Sequence, residues 1–488
     1  MPTLSPLPQT PPSPVGSLLV SALLAWPWLQ PWAPGPETNT VPLLMSWAAF
    51  ALLVLAGRWP SALELARAWA WAALVSSAMG LLQYFGEAAH LGGWVHVPSY
   101  LGDAVANLRQ RNQLATLTTL GAVAVLWWHA NGLRSSTAAS WLLLLAFGNA
   151  ATGSRTGLLE WLVLPALLVV WQRTRQHNTR GGAPWSWPLL LWALAAYGVA
   201  SLALPPALAA WQGQAVPSAM ARLGDMSGCG ARQVLWANVL HLIGERPWTG
   251  WGWGELKWAH YMASYPGTRF CDILGNAHNL PLQLAFSFGV PVAALLCATA
   301  LALLLRARPW RLVQDSNSLA WGVLAVIGLH SLLEYPLWYG PFQLALLSAL
   351  ALLWPRWPAL HARWRPALQT VAASALCVLA LIAWDYQRVR QIYLPPQERS
   401  PASREHPWEV ARQTWFFTGA LQFAEVGTTT PTADNAQALL AASLSALHYS
   451  PEPRVIDRVI ESARLSGQPA LAEWHAAQKQ VVYGGQRP

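Results

Sequence analysis

The sequence is poor in charge, with 10% of its 488 residues Asp, Glu, Lys or Arg and 54% apolar. Soluble domains carry about 25% charged residues, so a water-facing globular protein of this length is excluded. Lysine is nearly absent, with copies at 257 and 479. A net charge of +9 ordinarily points to nucleic acid. Here the arginines are scattered between long apolar runs, which predicts a membrane topology and no nucleic-acid partner.

Cysteine is also scarce, and four copies exclude a disulfide-rich scaffold. Cys297 and Cys377 fall in apolar runs, whereas Cys229 and Cys271 share a long polar segment and could form a disulfide in an oxidising compartment. Two independent thiols are the alternative. The chain lacks a Walker A loop, a His-Glu-x-x-His pair, a Cys-x-x-Cys pair and a Gly-x-Ser-x-Gly motif, so nothing in it proposes a metal or a cofactor.

What the chain does have is apolar runs long enough to cross a bilayer core of about 30 Å. Eleven such runs are predicted, at 16–33, 41–57, 63–85, 113–130, 137–151, 156–172, 186–207, 279–305, 316–335, 341–355 and 367–384. With the N-terminus inside, arginines concentrate in the cytoplasmic connections, as the positive-inside rule requires. The predicted fold is an all-α polytopic membrane protein with about 11 transmembrane helices.

This topology divides the chain into four parts. They are transmembrane helices one to seven in 1–207, a large periplasmic loop in 208–278, transmembrane helices eight to eleven in 279–384, and a C-terminal helical, repeat-like periplasmic domain in 385–488. Apolar spacing predicts helices in the last part at 404–424, 434–448, 453–465 and 469–482. Ser450-Pro451 is predicted to begin a helix, and Gly467 to separate two.

Basic residues on the predicted outer side run against the positive-inside rule, so they need another explanation. They are Arg109, Arg111, Arg155, Arg222, Arg232, Arg246, Lys257 and Arg269. Charges at a membrane boundary are costly and often functional. The planar guanidinium group also matches phosphate oxygens. The pattern therefore predicts an outer-face site for an anionic headgroup or a diphosphate.

Three short polar segments begin predicted spans at that same face, namely 109–115, 153–157 and 275–280. Because they share one membrane boundary, they could converge. His278 and Asn279 stand at the top of a span, where neither is favoured in lipid, although a structural hydrogen-bonding role is the alternative. Glu334 closes the ninth run beside Tyr335, and could orient a histidine, pair with an arginine or be a plain interfacial acid.

Two features of the long outer loop bear on ligand binding. Residues 231–244 are predicted as an amphipathic helix with Arg232 and Trp236 on one face. The segment that follows, residues 245–254, ends in alternating Gly and Trp, and we call it the Gly/Trp segment. Its glycines allow close backbone approach to a ligand. Trp251 and Trp253 are therefore candidates for stacking on sugars. Anchoring in the membrane interface is the alternative.

These segments together resemble the O-antigen ligase and polymerase superfamily, and more narrowly the bacterial protein O-oligosaccharyltransferases that glycosylate pilins. The shared motifs are Arg-Asn-Gln-Leu-Ala at 111–115, Ser-Arg-Thr-Gly at 154–157, Arg-x-x-x-Trp at 232–236, Arg-Pro-Trp-x-Gly-x-Gly at 246–252, His-Asn-x-x-Leu-Gln at 278–283 and His-Ser-Leu-Leu-Glu-Tyr-Pro-Leu-Trp at 330–338. Each motif alone is weak, but their order and spacing are specific. The last motif and the helical tail favour the protein-modifying branch.

The resemblance implies transfer of a glycan en bloc from undecaprenyl diphosphate to Ser or Thr hydroxyls of pilin or another periplasmic protein, without cofactor or metal. It also implies a multi-pass protein of the bacterial inner membrane whose active site faces the periplasm. The predicted catalytic residues are His278, Asn279 and Glu334. The predicted donor-binding residues are Arg155, Arg232, Arg109, Arg111, Asn112 and Gln113. Residues predicted to contact the glycan or acceptor are Trp236, Trp251, Trp253 and Tyr335.

One departure from the family pattern concerns the segment after His-Asn. The family often carries Glu-x-Gly there, whereas this chain has Phe-Ser-Phe-Gly at 286–289. Any role of that glutamate is therefore absent or moved, with Glu334 as the candidate. An O-antigen ligase acting on lipid A core and a glycan polymerase share the same motifs, and a lipid or glycan transporter is the remote alternative.

Overall fold

The computed structural model describes residues 13–32, 35–175, 185–213, 229–312, 315–354 and 357–484. Within these ranges the secondary structure is helical and contains no strand. The predicted all-α class is therefore confirmed. Arg222, one of the predicted outer basic residues, lies outside the described ranges.

A helix lies at each predicted apolar run. The first seven are α1 (Pro14–Leu29), α2 (Thr40–Leu55), α3 (Ala62–Tyr84), α4 (Arg111–Ala130), α5 (Ser135–Ala151), α6 (Arg155–Arg175) and α7 (Trp187–Gln212). Two helices of the outer loop follow, α8 (Arg232–Glu245) and α9 (Leu256–Met262). The next five are α10 (Leu280–Phe288), α11 (Val290–Ala307), α12 (Asp315–Leu333), α13 (Gly340–Leu353) and α14 (Trp357–Arg390). In the described residues, five segments are long and apolar enough to cross a membrane, at Ala62–Tyr84, Trp187–Gln212, Val290–Ala307, Ser316–Leu333 and Arg363–Tyr393. The topology of eleven spans stays a prediction.

The chain forms two compact units. The first comprises Met1–Ala33, Glu37–Asp225 and Ala307–Leu379, and the second comprises Pro34–Pro36, Met226–Arg306 and Ala380–Pro488. In the first unit α3 and α4 pack closely because small residues face each other. A Cβ built on Gly121 would lie 2.3 Å from the Cβ of Ala73. Small residues at such positions let helix backbones approach, as is usual between membrane helices.

The predicted eighth span is wrong as a single helix. It breaks at Gly289, which has a φ of +85° and separates α10 from α11. The Gly/Trp segment of the outer loop fills the break. The N–H of Trp251 donates to the carbonyl of Phe286 at 2.8 Å, and the N–H of Val290 donates to the carbonyl of Pro247 at 2.7 Å. Backbone groups freed by a break in an apolar helix need such partners.

The C-terminal part of the second unit is a set of helices packed in succession around Phe423, Leu440, Ile456 and Val459. They are α16 (Thr418–Thr428), α17 (Ala436–Tyr449), α18 (Pro453–Leu465) and α19 (Pro469–Tyr483), and the short helix α15 (Pro407–Ala411) precedes them.

The helices predicted at 434–448, 453–465 and 469–482 correspond to α17, α18 and α19, whereas two other sequence predictions for this region are wrong. The helix predicted at 404–424 is interrupted, because the buried carboxylate of Asp385 accepts the backbone N–H groups of Trp415 and Phe416. The helix predicted at 453–465 is present at Pro453–Leu465, but its N-cap is Glu452 and its first-turn proline is Pro453, so the predicted start at Ser450-Pro451 is wrong. Gly467, with a φ of +70°, separates α18 from α19 as predicted.

Candidate functional site

His278 lies in a short loop of the second unit, immediately before α10, and has a left-handed backbone with a φ of +50°. This conformation is higher in free energy for residues other than glycine. They adopt it only where the surrounding structure stabilises it, commonly at functional sites. Here the backbone N–H of His278 donates to Oδ1 of Asn276 at 3.0 Å. Asn279 caps α10 by accepting the N–H of Leu282 at 3.0 Å. Asn279 therefore has a structural task that fixes the position of the histidine.

The residue before His278 is held from two sides. The N–H of Ala277 donates to Oε1 of Gln283 at 2.8 Å, and its carbonyl accepts the indole N–H of Trp236 at 3.1 Å. Trp236, which lies on α8, therefore stabilises the loop that carries His278. The sequence had predicted it as a residue that contacts the glycan or acceptor. Arg232 stands at the first position of the same helix.

The two tryptophans of the Gly/Trp segment differ in their surroundings. Trp251 is fixed within the second unit, since its indole N–H donates to the carbonyl of Leu242 at 2.8 Å and its ring stacks with Phe286 at 6.3 Å. The guanidinium carbon of Arg246 lies 4.1 Å from the ring centroid of Trp251. Trp253 is 61% exposed and stacks with Phe288. Of the two, Trp253 has the surface open to a sugar.

Asn112 joins three distant sequence segments in the first unit. Its Nδ2 donates to Oε1 of Glu334 at 2.8 Å, and its Oδ1 accepts the hydroxyl of Ser154 at 2.7 Å. Ser154 in turn accepts the N–H of Gly157 at 3.0 Å, in the first turn of α6. The start of α4, the start of α6 and the end of α12 therefore meet, and Glu334 is 3% exposed at that junction. Tyr335 follows it and stacks with Tyr339.

Arg155 is exposed and is the first residue of α6. The N-terminus of a helix carries a partial positive charge and unsatisfied N–H groups, so a cation there is unfavourable unless an anion binds. The guanidinium and the helix end therefore both favour a negatively charged ligand. This is the physical property expected of a diphosphate-binding residue.

Arg109 and Arg111 both contact groups of the protein. Arg109 has a φ of +59° and donates to the carbonyl of Pro31 at 3.1 Å, whereas Arg111 forms an ion pair with Asp103 at 2.5 Å. Arg109 and the buried Gln113 line a small cavity, together with Gln30, Asn39, Asn107 and Tyr339. Partial burial, and then the charge of Arg109, lower the pKa of His96. Both arginines thus contribute to the structure of the outer segment.

A buried polar cluster within the first unit was missed by the sequence reasoning. The hydroxyl of Thr116 lies 2.6 Å from Oε1 of Glu160 and 2.8 Å from Nδ1 of His330, linking α4, α6 and α12. Glu160 is fully buried and His330 is 1% exposed. An acid in the middle of an apolar run was the available signal, because intramembrane charges are rare and commonly functional.

Cys229 and Cys271 form a disulfide in the structure, with their Cα atoms 5.3 Å apart. The disulfide links the residues just before α8 to the loop between α9 and α10. Among the described residues, no group of three or more His, Cys, Asp and Glu side chains is arranged to hold a metal ion.

Three family models match the chain. The model described as O-antigen ligase matches residues 139–297, that described as protein glycosylation ligase matches 104–129, and that described as virulence factor membrane-bound polymerase, C-terminal, matches 318–488. The matched ranges include the Asn112, Arg155, His278 and Glu334 segments.

A curated relative is the general O-oligosaccharyltransferase of Acinetobacter baylyi, which is 25% identical over 349 residues. The match covers 68% of this chain and 58% of the relative. The chain thus spans less than two thirds of the length of that protein. No solved structure matches the chain significantly.

Proposed function

Because the chain belongs to the O-antigen ligase superfamily, we propose that it transfers a glycan from a lipid-linked donor to a protein hydroxyl. The observation that carries the proposal is the constrained backbone of His278, held by Asn276 and followed by the Asn279 cap. A strained histidine on a braced loop matches the requirement for a positioned general base. The donor we propose is an oligosaccharide linked to undecaprenyl diphosphate, and the acceptor is a serine or threonine of a periplasmic protein such as pilin.

In the proposed reaction, the acceptor hydroxyl oxygen attacks the anomeric carbon of the first sugar. An imidazole nitrogen of His278 takes the hydroxyl proton, the bond from the anomeric carbon to the diphosphate oxygen breaks, and polyprenyl diphosphate leaves. Direct displacement inverts the anomeric centre. The hydroxyl needs this help because it is a poor nucleophile near neutral pH.

The leaving diphosphate gains negative charge as the bond breaks, and fixed cations stabilise that charge. We assign this role to Arg155 and Arg232. Arg155 supports the assignment through its place at the N-terminus of α6, where an anion is favoured. We also propose that the segment at the start of α4 contributes to donor binding. Its residues in this role are Arg109, Arg111, Asn112 and Gln113.

The acceptor separates the alternatives, because an O-antigen ligase and a glycan polymerase would use the same donor chemistry. The match to a protein glycosylation ligase model and the similarity to the general O-oligosaccharyltransferase of Acinetobacter favour a protein acceptor. A transporter would move the lipid-linked glycan without forming a covalent product. In this proposal the site lies on the periplasmic side of the inner membrane, where a periplasmic acceptor protein can reach it.

The test is transfer by purified protein in detergent, with a lipid-linked glycan and pilin as substrates and mass spectrometry of the pilin as readout. His278→Ala should lower the rate by about 100-fold or more, the usual contribution of a general base. His241→Ala is the matched control, since His241 pairs with Glu245 on α8 of the same unit. Transfer by His278→Ala at the wild-type rate would refute the assignment.

Donor binding has a separate matched pair on α6. Arg155→Ala should weaken binding of the lipid diphosphate, whereas Arg173→Ala, at the opposite end of the same helix, should leave it unchanged. Equal donor affinity of both variants would exclude Arg155 from the diphosphate site. Absence of any glycosylated pilin with active donor would instead favour a different acceptor or transport.

A further inference from the structure

Three large aromatic side chains are exposed together where α14 leaves its apolar run. Trp384 is 49% exposed, Trp415 is 64% exposed and Phe416 is 52% exposed. The ring centroids of Trp384 and Trp415 lie 6.3 Å apart in an edge-on arrangement. We call these three residues the aromatic patch. An exposed cluster of this kind in water is unfavourable and marks an interaction surface.

The patch continues the exposed face of a helix that is long and apolar enough to cross a membrane. Cys377, Leu381, Trp384 and Arg388 follow one another at spacings of four, three and four residues, so they share one side of α14. Cys377 and Leu381 are exposed. Only 6% of the most apolar window of this helix is buried within the protein. The same face therefore runs from the apolar run into the patch.

The end of the apolar run sets the depth of Trp384. α14 has 34 residues and is about 51 Å long at 1.5 Å per residue, which exceeds a bilayer core of about 30 Å. Part of the helix must therefore lie beyond the core. Trp384 is the last residue of the run and Asp385 is the next. Trp384 thus stands at the boundary between hydrocarbon and headgroups.

Asp385 fixes the other two aromatic residues at that level. Its Oδ2 accepts the hydroxyl of Thr414 at 2.8 Å and the backbone N–H groups of Trp415 and Phe416 at 2.9 and 2.8 Å. The carboxylate is fully buried beneath this loop. It is this contact that interrupts the predicted helix. The loop is consequently held against α14 one residue beyond Trp384.

Arg388 completes the arrangement. Its Nη1 donates to the carbonyl of Gln413 at 2.7 Å, and its guanidinium carbon lies 3.5 Å from the ring centroid of Trp384. Arginine near the end of a membrane helix can keep its charge at headgroup level while its stem covers apolar surface. Tryptophan likewise favours this region. The composition of the cluster therefore suits phospholipid headgroups and the adjacent acyl carbons.

We infer that loop 413–417 is a second membrane contact of the C-terminal region, with Trp415 and Phe416 inserted beside Trp384 into the headgroup boundary and Asp385 acting as the clamp. The bilayer is favoured over a protein partner because the patch is continuous with the exposed face of a helix that is long and apolar enough to cross a membrane. The inference is independent of the proposed catalytic activity.

Spin labelling tests the depth of the loop in the full chain, reconstituted into phosphatidylethanolamine and phosphatidylglycerol nanodiscs. Phe416→Cys is labelled in a chain whose free cysteines are replaced, Cys297→Ala and Cys377→Ala. A label at native Cys377 is the lipid reference, and a label at Glu473→Cys, exposed on α19, is the aqueous reference. Collision rates with oxygen and with a water-soluble nickel chelate are measured at each position.

The expected result is a nickel collision rate at position 416 several-fold below that at 473, with oxygen accessibility approaching that at 377. Equal nickel accessibility at 416 and 473 would overturn the inference. So would protection of position 416 that appears only when acceptor protein is added. Asp385→Ala should return the label at 416 to water, whereas a label at Cys377, carried by a separate Asp385→Ala chain with Cys297→Ala, should stay in lipid. An unchanged label at 416 would reject the clamp. Should Asp385→Ala fail to fold, the Phe416→Cys comparison decides by itself.

Discussion

Gly289→Ala tests the helix break that places the Gly/Trp segment against α10 and α11. A Cβ on Gly289 would lie 2.3 Å from the carbonyl oxygen of Trp248. That oxygen belongs to the main chain, so no rotamer change relieves the overlap. The φ of +85° adds about 1–2 kcal/mol of strain for a residue with a side chain. The loop must therefore withdraw from the break.

Withdrawal of the loop costs three backbone hydrogen bonds, from Trp251 to Phe286, from Gly252 to Ser287 and from Val290 to Pro247. Each contributes about 0.5–1.5 kcal/mol net. Strain and lost bonds together predict that the variant is less stable by about 3–6 kcal/mol. At about 2–4 °C per kcal/mol in a domain of this size, Tm should fall by roughly 6 °C or more.

The assay is thermal unfolding of purified protein in detergent, followed by loss of the monodisperse peak in size-exclusion chromatography. Gly244→Ala in α8 is the control, because a Cβ there meets no atom within 4 Å. It should leave Tm unchanged or slightly raised, since alanine favours a helix interior by about 0.5–1 kcal/mol. A Tm for Gly289→Ala equal to that of the control would show that the loop does not close the break.

Three further predictions concern other parts of the chain. Gln83→Leu should destabilise the first unit by about 2 kcal/mol or more, because the Gln83 side chain accepts the buried N–H groups of Val105 and Ala106; a Tm shift below 1–2 °C would contradict this. Burial lowers the pKa of His260 from 6.5 to about 3, so the unfolded state binds the proton first and the unfolding free energy should fall by up to about 1.4 kcal/mol per pH unit below 6.5. Denaturant titrations from pH 7 to pH 4 should show this dependence reduced in His260→Gln, and equal slopes would reject it. Replacing Cys229 and Cys271 by Ser opens a crosslink across 42 residues and should cost about 4 kcal/mol, measured as a lower denaturation midpoint that reductant does not lower further.

Much of the fold could be predicted from local patterns in the sequence. The apolar runs predicted where helices lie, because burial in lipid or protein imposes the same composition over many consecutive residues. The turn between α18 and α19 was also predicted from a local signal, Gly467. A residue without Cβ adopts the φ of +70° found there without strain. Asn279 was selected as a candidate catalytic residue because it is polar and stands at the top of a predicted span, and in the structure it caps the following helix.

The candidate site was predictable in part. Asn112, Arg155 and Glu334 were selected as polar residues at membrane boundaries, and Asn112 contacts Glu334 directly. What composition could not show is the role of each side chain. Trp251 and Trp236 were assigned to a ligand surface, yet their indole N–H groups are bonded to backbone carbonyls within the protein.

By itself the sequence determined that the protein is helical and that it belongs in a membrane, because these properties follow from residue composition over short windows. Tertiary structure alone decided the break at Gly289, the end of a predicted helix at Asp385 and the burial of Glu160 beside His330. Each of these depends on a group far away in the chain: the carbonyl of Trp248, the N–H groups of Trp415 and Phe416, and the hydroxyl of Thr116. A periodic pattern records which face of a helix is apolar, but not which distant hydrogen-bonding group meets it.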